Sequence, residues 1–283
     1  MNSTVAAIIV VYRSGSIDPL VEQLAAQGVT RVVVIDNGAI EPFELTSTHA
    51  SCVVHEIGFG RNLGYGLAIN RGLAMITESM VLIMNPDVTL HAGAVDALVS
   101  TAASSDTVGA VGPKVLDNVG DRYPSFRRFP SLWQSIRHGA VGWLAPKSSA
   151  TRSYRMTDLN PDTAVTVPWI SGACLLCPTD VVRKVGGFDP QYHLYMEDVD
   201  LCRRLSLFGY QIVYEPVAVV THVGGTSSNQ RKLRAVIDHH RSMAVYASLE
   251  QRSTVALIVV EAGVALRCAL SLVRTIATGS VRN

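Results

Sequence analysis

Two carboxylates end apolar runs at places a ligand can reach. Asp36 closes RVVVID ahead of the turn pair Asn37-Gly38, and Asp87 follows the run MVLIM in Asn85-Pro86-Asp87. Either acid alone is equally explained as a turn cap. Together they fit a nucleotide site, with Asp36 accepting from a base or ribose and Asp87 holding a hard divalent cation on phosphate oxygens. Further along, Glu197, Asp198 and Asp200 crowd the start of a helical run within YHLYMEDVDLCRRL. Capping and the helix dipole account for one or two such acids. The aromatic and glycine setting also suits a general base, a carboxylate positioned to take a proton from an attacking hydroxyl. His222 ends an apolar run and reads either as a metal ligand through a neutral ring nitrogen or as a hydrogen-bonded strand-edge histidine. The segment 58–72 (GFGRNLGYGLAINRG) places five glycines around Asn62 and Asn70. Glycine admits close approach of backbone to a ligand, and the amides offer donors and acceptors. The segment is neither a P-loop nor a dinucleotide fingerprint.

These residues need elements to carry them. Residues 5–12 (VAAIIVVY), 31–36, 52–57 and 80–84 are short apolar runs, as expected of strands buried on both faces. Residues 17–27 and 67–76 have helical spacing between them. Such alternation predicts an open, mostly parallel sheet covered by helices, with ligands bound at the carboxyl ends of its strands. Residues 116–163 lose periodicity and are rich in Arg, Pro, Ser and aromatics. Order returns as strands over 164–169 and 172–177, a short helix ending at Gly186-Gly187, a helix over 197–208, strands over 211–214 and 217–222, and an amphipathic helix over 233–249.

Composition narrows the class. The chain has 283 residues, 48% hydrophobic and 17% charged, with 24 Lys+Arg against 23 Asp+Glu. A net charge of +1 leaves no electrostatic footprint for nucleic acid. Disorder, collagen-like repeats and a secreted disulfide scaffold are excluded, the last because five cysteines do not pair off in a chain this long. The opening lacks the basic region of a secretory signal and reads as a strand, so a cytoplasmic location is expected. The CxxC at Cys174–Cys177 stands alone in an apolar run, which predicts burial rather than redox or zinc chemistry. A mean hydropathy of +0.26 with low charge hints at a membrane surface or an unusually buried sheet.

In order along the chain, VVVYRS, VIDNG, NLGYGLAIN, NPDV, WISGACLL, GGFDPQYHLYMEDVDLCRRL and HVGG resemble the inverting family-2 glycosyltransferases, above all their bacterial rhamnosyltransferase branch. The similarity spans residues 6–226. It implies an α/β GT-A fold, a mixed sheet flanked by helices, with residues 1–228 as catalytic domain (1–110 nucleotide-binding, 111–228 acceptor and catalytic) and 229–283 as a C-terminal region of amphipathic helices. It implies that Val11 and Tyr12 line the nucleotide cleft, that Asp36 contacts the base, and that Asn62, Gly64 and Asn70 pack around the nucleotide. Asn85 and Asp87 stand at the family's Asp-x-Asp metal motif for Mg²⁺ or Mn²⁺, completed by His222. Asn85 in place of the first Asp removes one charge and implies weaker metal binding. Trp169, Ser171 and Gly172 would border the acceptor, Asp198 would be the base, and Glu197 its support. Within the branch, the implied donor is dTDP-rhamnose and the acceptor N-acetylglucosaminyl-diphospho-polyprenol, a step in building the linker between peptidoglycan and arabinogalactan. Other donors (UDP-galactofuranose, UDP-hexose, GDP-mannose) and a non-catalytic nucleotide-sugar binding protein remain open alternatives.

Two further segments bear on location. Arg122, Arg127, Arg128, Arg137 and Lys147 interleave with Tyr123, Phe126, Phe129 and Trp133. Arginine forks suit an acceptor diphosphate or anionic headgroups, and a solvated loop is the plain alternative. Residues 254–277 are strongly apolar but interrupted by Glu261, Arg267 and Arg274, so no uncharged run of membrane-spanning length exists. Arg267, Ser271 and Arg274 share one narrow helical arc, as in a helix lying in a membrane interface or docked on a partner, including a second copy in a homo-oligomer. Packing on the chain's own core is the alternative. Attachment to the inner face of the cell membrane is the favoured expectation.

Overall fold

The computed structural model describes residues 3–12, 14–38, 52–130, 154, 156, 159–160, 162–224, 232–250 and 253–279. Trp133, Arg137, Lys147 and the expected boundary at 228/229 lie outside them. Strands β1 (Val5–Val11), β2 (Arg31–Asp36), β3 (Val53–Gly58) and β4 (Met80–Met84) are joined by helices α1 (Asp18–Ala26) and α2 (Tyr65–Leu73). Then follow β5 (Val88–Leu90), α3 (Ala94–Ala102), β6 (Val108–Leu116), β7 (Phe126–Arg127), β8 (Val165–Val167), β9 (Trp169–Ile170) and β10 (Cys174–Pro178). Helices α4 (Thr179–Lys184) and α5 (Glu197–Leu207), strand β11 (Gln211–His222), and helices α6 (Lys232–Glu250) and α7 (Thr254–Gly279) complete the chain.

The main sheet runs β3-β2-β1-β4-β10-β6-β11-β5, with β8 added on β11. It is mixed: β1–β4 are mutually parallel, whereas β10 is antiparallel to both β4 and β6. The uninterrupted apolar runs follow from this placement, because alternate residues face opposite layers. Ile8, Val10, Val33, Ile35 and Ile83 pack with Ile69 of α2, Val182 of α4 and Leu205 of α5. Ile9, Val11, Val32, Val34, Leu82 and Met84 pack with Leu24 of α1 and Leu98 of α3. Cys174 and Cys177 are buried in β10, as expected.

Three elements differ from the sequence expectation. The segment VGAVGPKVL is strand β6, to which the sequence pattern assigns no element. A Cβ at Gly109 would lie 2.7 Å from that of Tyr210, and one at Gly112 would run into Ile170, so these glycines serve close packing. The two expected strands over 211–214 and 217–222 are a single strand, β11, whose register on β6 jumps between Glu215 and Val219. The irregularity accommodates Pro216, which has no N–H to offer the ladder. Glu215 compensates by accepting from Val217 N–H at 2.9 Å and Thr101 O–H at 2.7 Å. Finally, the charges in residues 254–277 do not disqualify a span: Thr254–Ala277 is long and apolar enough to cross a membrane by length and composition, and only 6% of its most apolar window is buried.

Candidate active site

The carboxyl ends of β1, β2 and β4 lie together, with Val11 paired to Asp36 and Ile9 to Met84. Because β10 runs antiparallel from Cys174 beside Met84, the residues just before it emerge at the same edge. Asn85 N–H donates to Ala173 C=O there at 2.9 Å. The edge opens into a cleft of about 1760 Å³. Among the sequence-predicted residues, Tyr12, Asn62, Asn85, Asp87, Arg127, Trp169, Ser171, Gly172, Glu197, Asp198 and His222 line it. Val11, Asp36, Gly64, Asn70 and Arg128 do not. Val11 and Asp36 are buried at the ends of β1 and β2, and Asp36 accepts from Gly38 N–H at 3.2 Å. Asn70 spends its amide on the backbone of Phe188, donating at 2.7 Å and accepting at 2.8 Å. Arg128 contributes its C=O, which accepts from Trp169 Nε1 at 2.8 Å.

At the end of β2 the cleft is organised by Asn37, the first residue of the turn pair Asn37-Gly38. Asn37 is buried; its Oδ1 accepts from Leu63 N–H at 2.7 Å, and its Nδ2 donates to Asn62 Oδ1 and Gly64 C=O, both at 3.2 Å. This ties the end of β2 to the glycine-rich segment. Gly64 (φ +87°) then packs against residue 193, where a Cβ would come within 2.7 Å of the His193 carbonyl oxygen. Tyr65 N–H donates to that same oxygen at 2.9 Å.

On one wall, Asn85, Asp87 and His222 converge. His222 Nε2 lies 3.0 Å from Asp87 Oδ1 and 3.2 Å from Asn85 Nδ2. Pairing of Val88 with His222 across β5 and β11 sets this meeting. The set holds one carboxylate, one imidazole and one amide. Among the described residues no cluster of three or more His, Cys, Asp or Glu forms a self-sufficient metal site. Such a donor set suits a hard cation that takes its remaining ligands from substrate phosphates.

Helix α5, whose first residues Glu197 and Asp198 line the same cleft, begins nearby. The chain reaches them through Tyr195 (φ +66°) and Met196 (φ +68°), two successive left-handed residues without glycine. Strain of this kind costs about 1–3 kcal/mol per residue and persists where the surroundings enforce it. Here α6 does so: Ser242 O–H donates to Leu194 C=O at 2.9 Å, and the His239 ring meets Tyr195 edge-on at 5.3 Å. Burial, then the neighbouring His240 and Arg267 charges, push His239 down to about 4, which leaves it neutral.

Asp198 accepts from Gly172 N–H through Oδ2 at 2.9 Å and from Val199 N–H through Oδ1 at 2.8 Å. Tyr65 O–H donates to the Gly172 carbonyl at 3.1 Å, so residue 172 stands between tyrosine and carboxylate. Burial raises the Asp198 carboxyl, opposed by those N–H donors and the Arg127 guanidinium. Glu197 is pushed further, to about 8, first by burial and then by Asp198. Its Oε2 is buried without a hydrogen-bond partner. Burial and mutual repulsion therefore hold both carboxyls up and favour a single shared proton on the pair near neutral pH. Asp200, the third acid, is fully buried and pairs with Arg204 at 2.7 Å, a structural role. The Arg127 guanidinium lies over Trp169 (5.6 Å) and Tyr154 (5.9 Å) beside the acid pair.

Asn37 and Tyr65 are the contributors that sequence reasoning missed. An amide after a strand-end aspartate reads as a turn, and a tyrosine in a glycine-rich run has no distinguishing pattern.

Residues 44–244 match the family described as glycosyltransferase like family 2. The chain is 35% identical over 234 residues to the N-acetylglucosaminyl-diphospho-decaprenol L-rhamnosyltransferase of Mycobacterium tuberculosis (strain ATCC 25618 / H37Rv), covering 79% of this chain and 76% of the relative. It is 26% identical over 167 residues to the rhamnosyltransferase WbbL of Escherichia coli (strain K12), covering 58% and 60% respectively. In fold it is similar to the mannosyltransferase PcManGT from Pyrobaculum calidifontis in complex with GDP-Man and Mn²⁺, with a TM-score of 0.56 at 15% identity over 100% of this chain and 76% of the other. The mixed sheet is thus matched by sequence and by fold, and the chain belongs to the family 2 glycosyltransferases, an enzyme of the GT-A fold with rhamnosyltransferases among its relatives.

Proposed function

We propose that this enzyme transfers L-rhamnose from dTDP-rhamnose to a hydroxyl of N-acetylglucosaminyl-diphospho-polyprenol, with inversion at the anomeric carbon. The observation that carries the mechanism is that Asp87 and Asp198 line one continuous cleft. The identity to the mycobacterial decaprenol-linked rhamnosyltransferase supports the choice of substrates.

In this reading Tyr12, Asn37 and Asn62 border the nucleotide, and Asn85, Asp87 and His222 face its diphosphate. Those three residues would hold Mg²⁺ or Mn²⁺, which supplies neutralisation of charge on a departing diphosphate. The acceptor hydroxyl lies against Asp198 and attacks the face opposite the diphosphate. The new C–O bond forms as the bond to the diphosphate breaks, and the hydroxyl proton passes to Asp198. One displacement turns a β-linked donor into an α-rhamnoside. Protonated Glu197 leaves the negative charge on Asp198, while Gly172 N–H fixes the carboxylate's orientation. Trp169, Ser171 and Arg127 border the acceptor sugar. The exposed apolar side of α7 attaches the enzyme peripherally to the inner face of the membrane, where such an acceptor resides.

The test is incubation of the full chain with radiolabelled dTDP-rhamnose, UDP-galactofuranose, UDP-glucose or GDP-mannose, each with N-acetylglucosaminyl-diphospho-polyprenol and Mg²⁺ or Mn²⁺. Lipid-linked α-rhamnoside from dTDP-rhamnose alone is expected. Transfer from a different nucleotide sugar, or donor binding with no transfer, overturns the reading.

A further inference from the structure

Helix α7 forms part of the catalytic cleft as well as an apolar outer surface. Arg267, Ser271 and Arg274 line the cleft together with Arg234 of α6. At 100° per residue the three α7 positions fall within roughly 60° of one another, and seven residues separate the arginines by about 10 Å along the axis. Val255, Ile258, Leu266, Val273 and Ile276, which are 60–72% exposed, cluster about 150° away. The protein-facing side carries Val260, which is buried, and the half-buried Val264, Cys268 and Thr275. The arginine arc thus lies at the edge of the protein-facing side, away from the outward apolar face. Arg234 is fixed by the buried Asp238 at 3.1 Å.

We infer that Arg267 and Arg274, with Arg234 beside them, form a binding subsite for the diphosphate of a prenyl-diphosphate acceptor whose hydrocarbon tail lies along the outer face of α7. This rests on the lipid-linked acceptor reading above. Three observations converge on it. A cleft of about 1760 Å³ exceeds the roughly 300–1,000 Å³ of an ordinary small-molecule site, which leaves room for a second substrate beyond the donor. Asn85, Asp87 and His222, assigned above to the donor's diphosphate, lie at the strand ends, whereas the arginines belong to α6 and α7. Guanidinium forks match phosphate oxygens, and their long stems reach from an apolar surface to its polar boundary. An α7 crossing the bilayer would carry this cleft wall, and its arginines, into hydrocarbon at substantial cost. A helix lying in the plane of the interface keeps the cleft at headgroup level.

The test uses the full chain with farnesyl diphosphate as probe, farnesol as the phosphate-free control, and dTDP as the donor-side ligand, read by calorimetry. Each lost arginine is expected to weaken farnesyl diphosphate binding about tenfold, so Arg267→Gln with Arg274→Gln lowers affinity about a hundredfold. The expected companions are an unchanged dTDP affinity and substantial retention of binding in the corresponding Lys pair. Both arginines are exposed, so the substitutions leave the fold intact. Equal affinity in wild type and the Gln pair overturns the inference, as does an equal loss of dTDP affinity. A drop in flotation on phosphatidylglycerol vesicles with farnesyl diphosphate affinity unchanged assigns the arginines to lipid headgroups and also overturns it. Arginine-dependent farnesyl diphosphate binding without rhamnosyl transfer to the GlcNAc lipid supports this subsite while refuting the substrate assignment.

Discussion

Substitution of Glu197 by Gln tests the acid pair in the folded protein. The Glu197 carboxyl rises from an ordinary 4.5 to about 8, chiefly by burial and then by the charge of Asp198. A raised carboxyl favours folding in its protonated form, so its contribution is complete below pH 4.5 and is lost as pH climbs through about 8. Between pH 5 and 7 the unfolded chain gives up this proton and the native protein keeps it. Integrated over that window, the folded state loses about 2–3 kcal/mol relative to a variant that cannot titrate there. Gln keeps the size of the protonated acid, and Asp198 titrates in both proteins. Urea unfolding of wild type and Glu197→Gln at pH 5, 6, 7 and 8 reads the difference directly. The account expects the stability gap to move by about 2–3 kcal/mol in favour of the variant from pH 5 to 7. Parallel pH dependences would mean that Glu197 is ionised in the native protein, and the proposed placement of charge on Asp198 would fail.

Asn70→Ala removes both amide bonds to Phe188 and is expected to cost about 2–3 kcal/mol in urea unfolding with dTDP affinity unchanged; a selective loss of dTDP binding would return Asn70 to the nucleotide site. His222→Ala removes a neighbour of Asp87 and Asn85 and should raise the half-saturating Mn²⁺ concentration for transfer about tenfold or more. In wild type, EDTA should abolish transfer and added Mn²⁺ restore it, and an identical metal response in the variant would contradict the assigned site. Truncation before Thr254 should reduce flotation on neutral phosphatidylcholine vesicles, and unchanged flotation would show that the apolar face of α7 does not seat on lipid.

Much of this arrangement is legible in the residues because the N-terminal strands are buried on both faces. An uninterrupted apolar run ending in Asp36 or Asn85-Pro86-Asp87 can only place those polar groups at the sheet edge. The strand β6 has no local signature of its own because Gly109 and Gly112 are there to admit Tyr210 and Ile170. The antiparallel insertion of β10, which brings Gly172 to Asp198, depends on long-range pairing that no local pattern encodes. The left-handed turn at Tyr195 and Met196 is equally silent, since tertiary contacts with Ser242 and His239 hold it without a glycine. The arc of Arg267, Ser271 and Arg274 is visible from spacing alone. That it faces the cleft is set by the packing of α7 on α6.

The central claim is that Asp198 takes the acceptor's proton across the cleft from the donor diphosphate. Single-turnover transfer by Asp198→Asn, measured alongside the dissociation constant for dTDP-rhamnose, tests it most directly. The account predicts a rate lower by about 10²–10⁴ with donor affinity preserved. Transfer near the wild-type rate would contradict it.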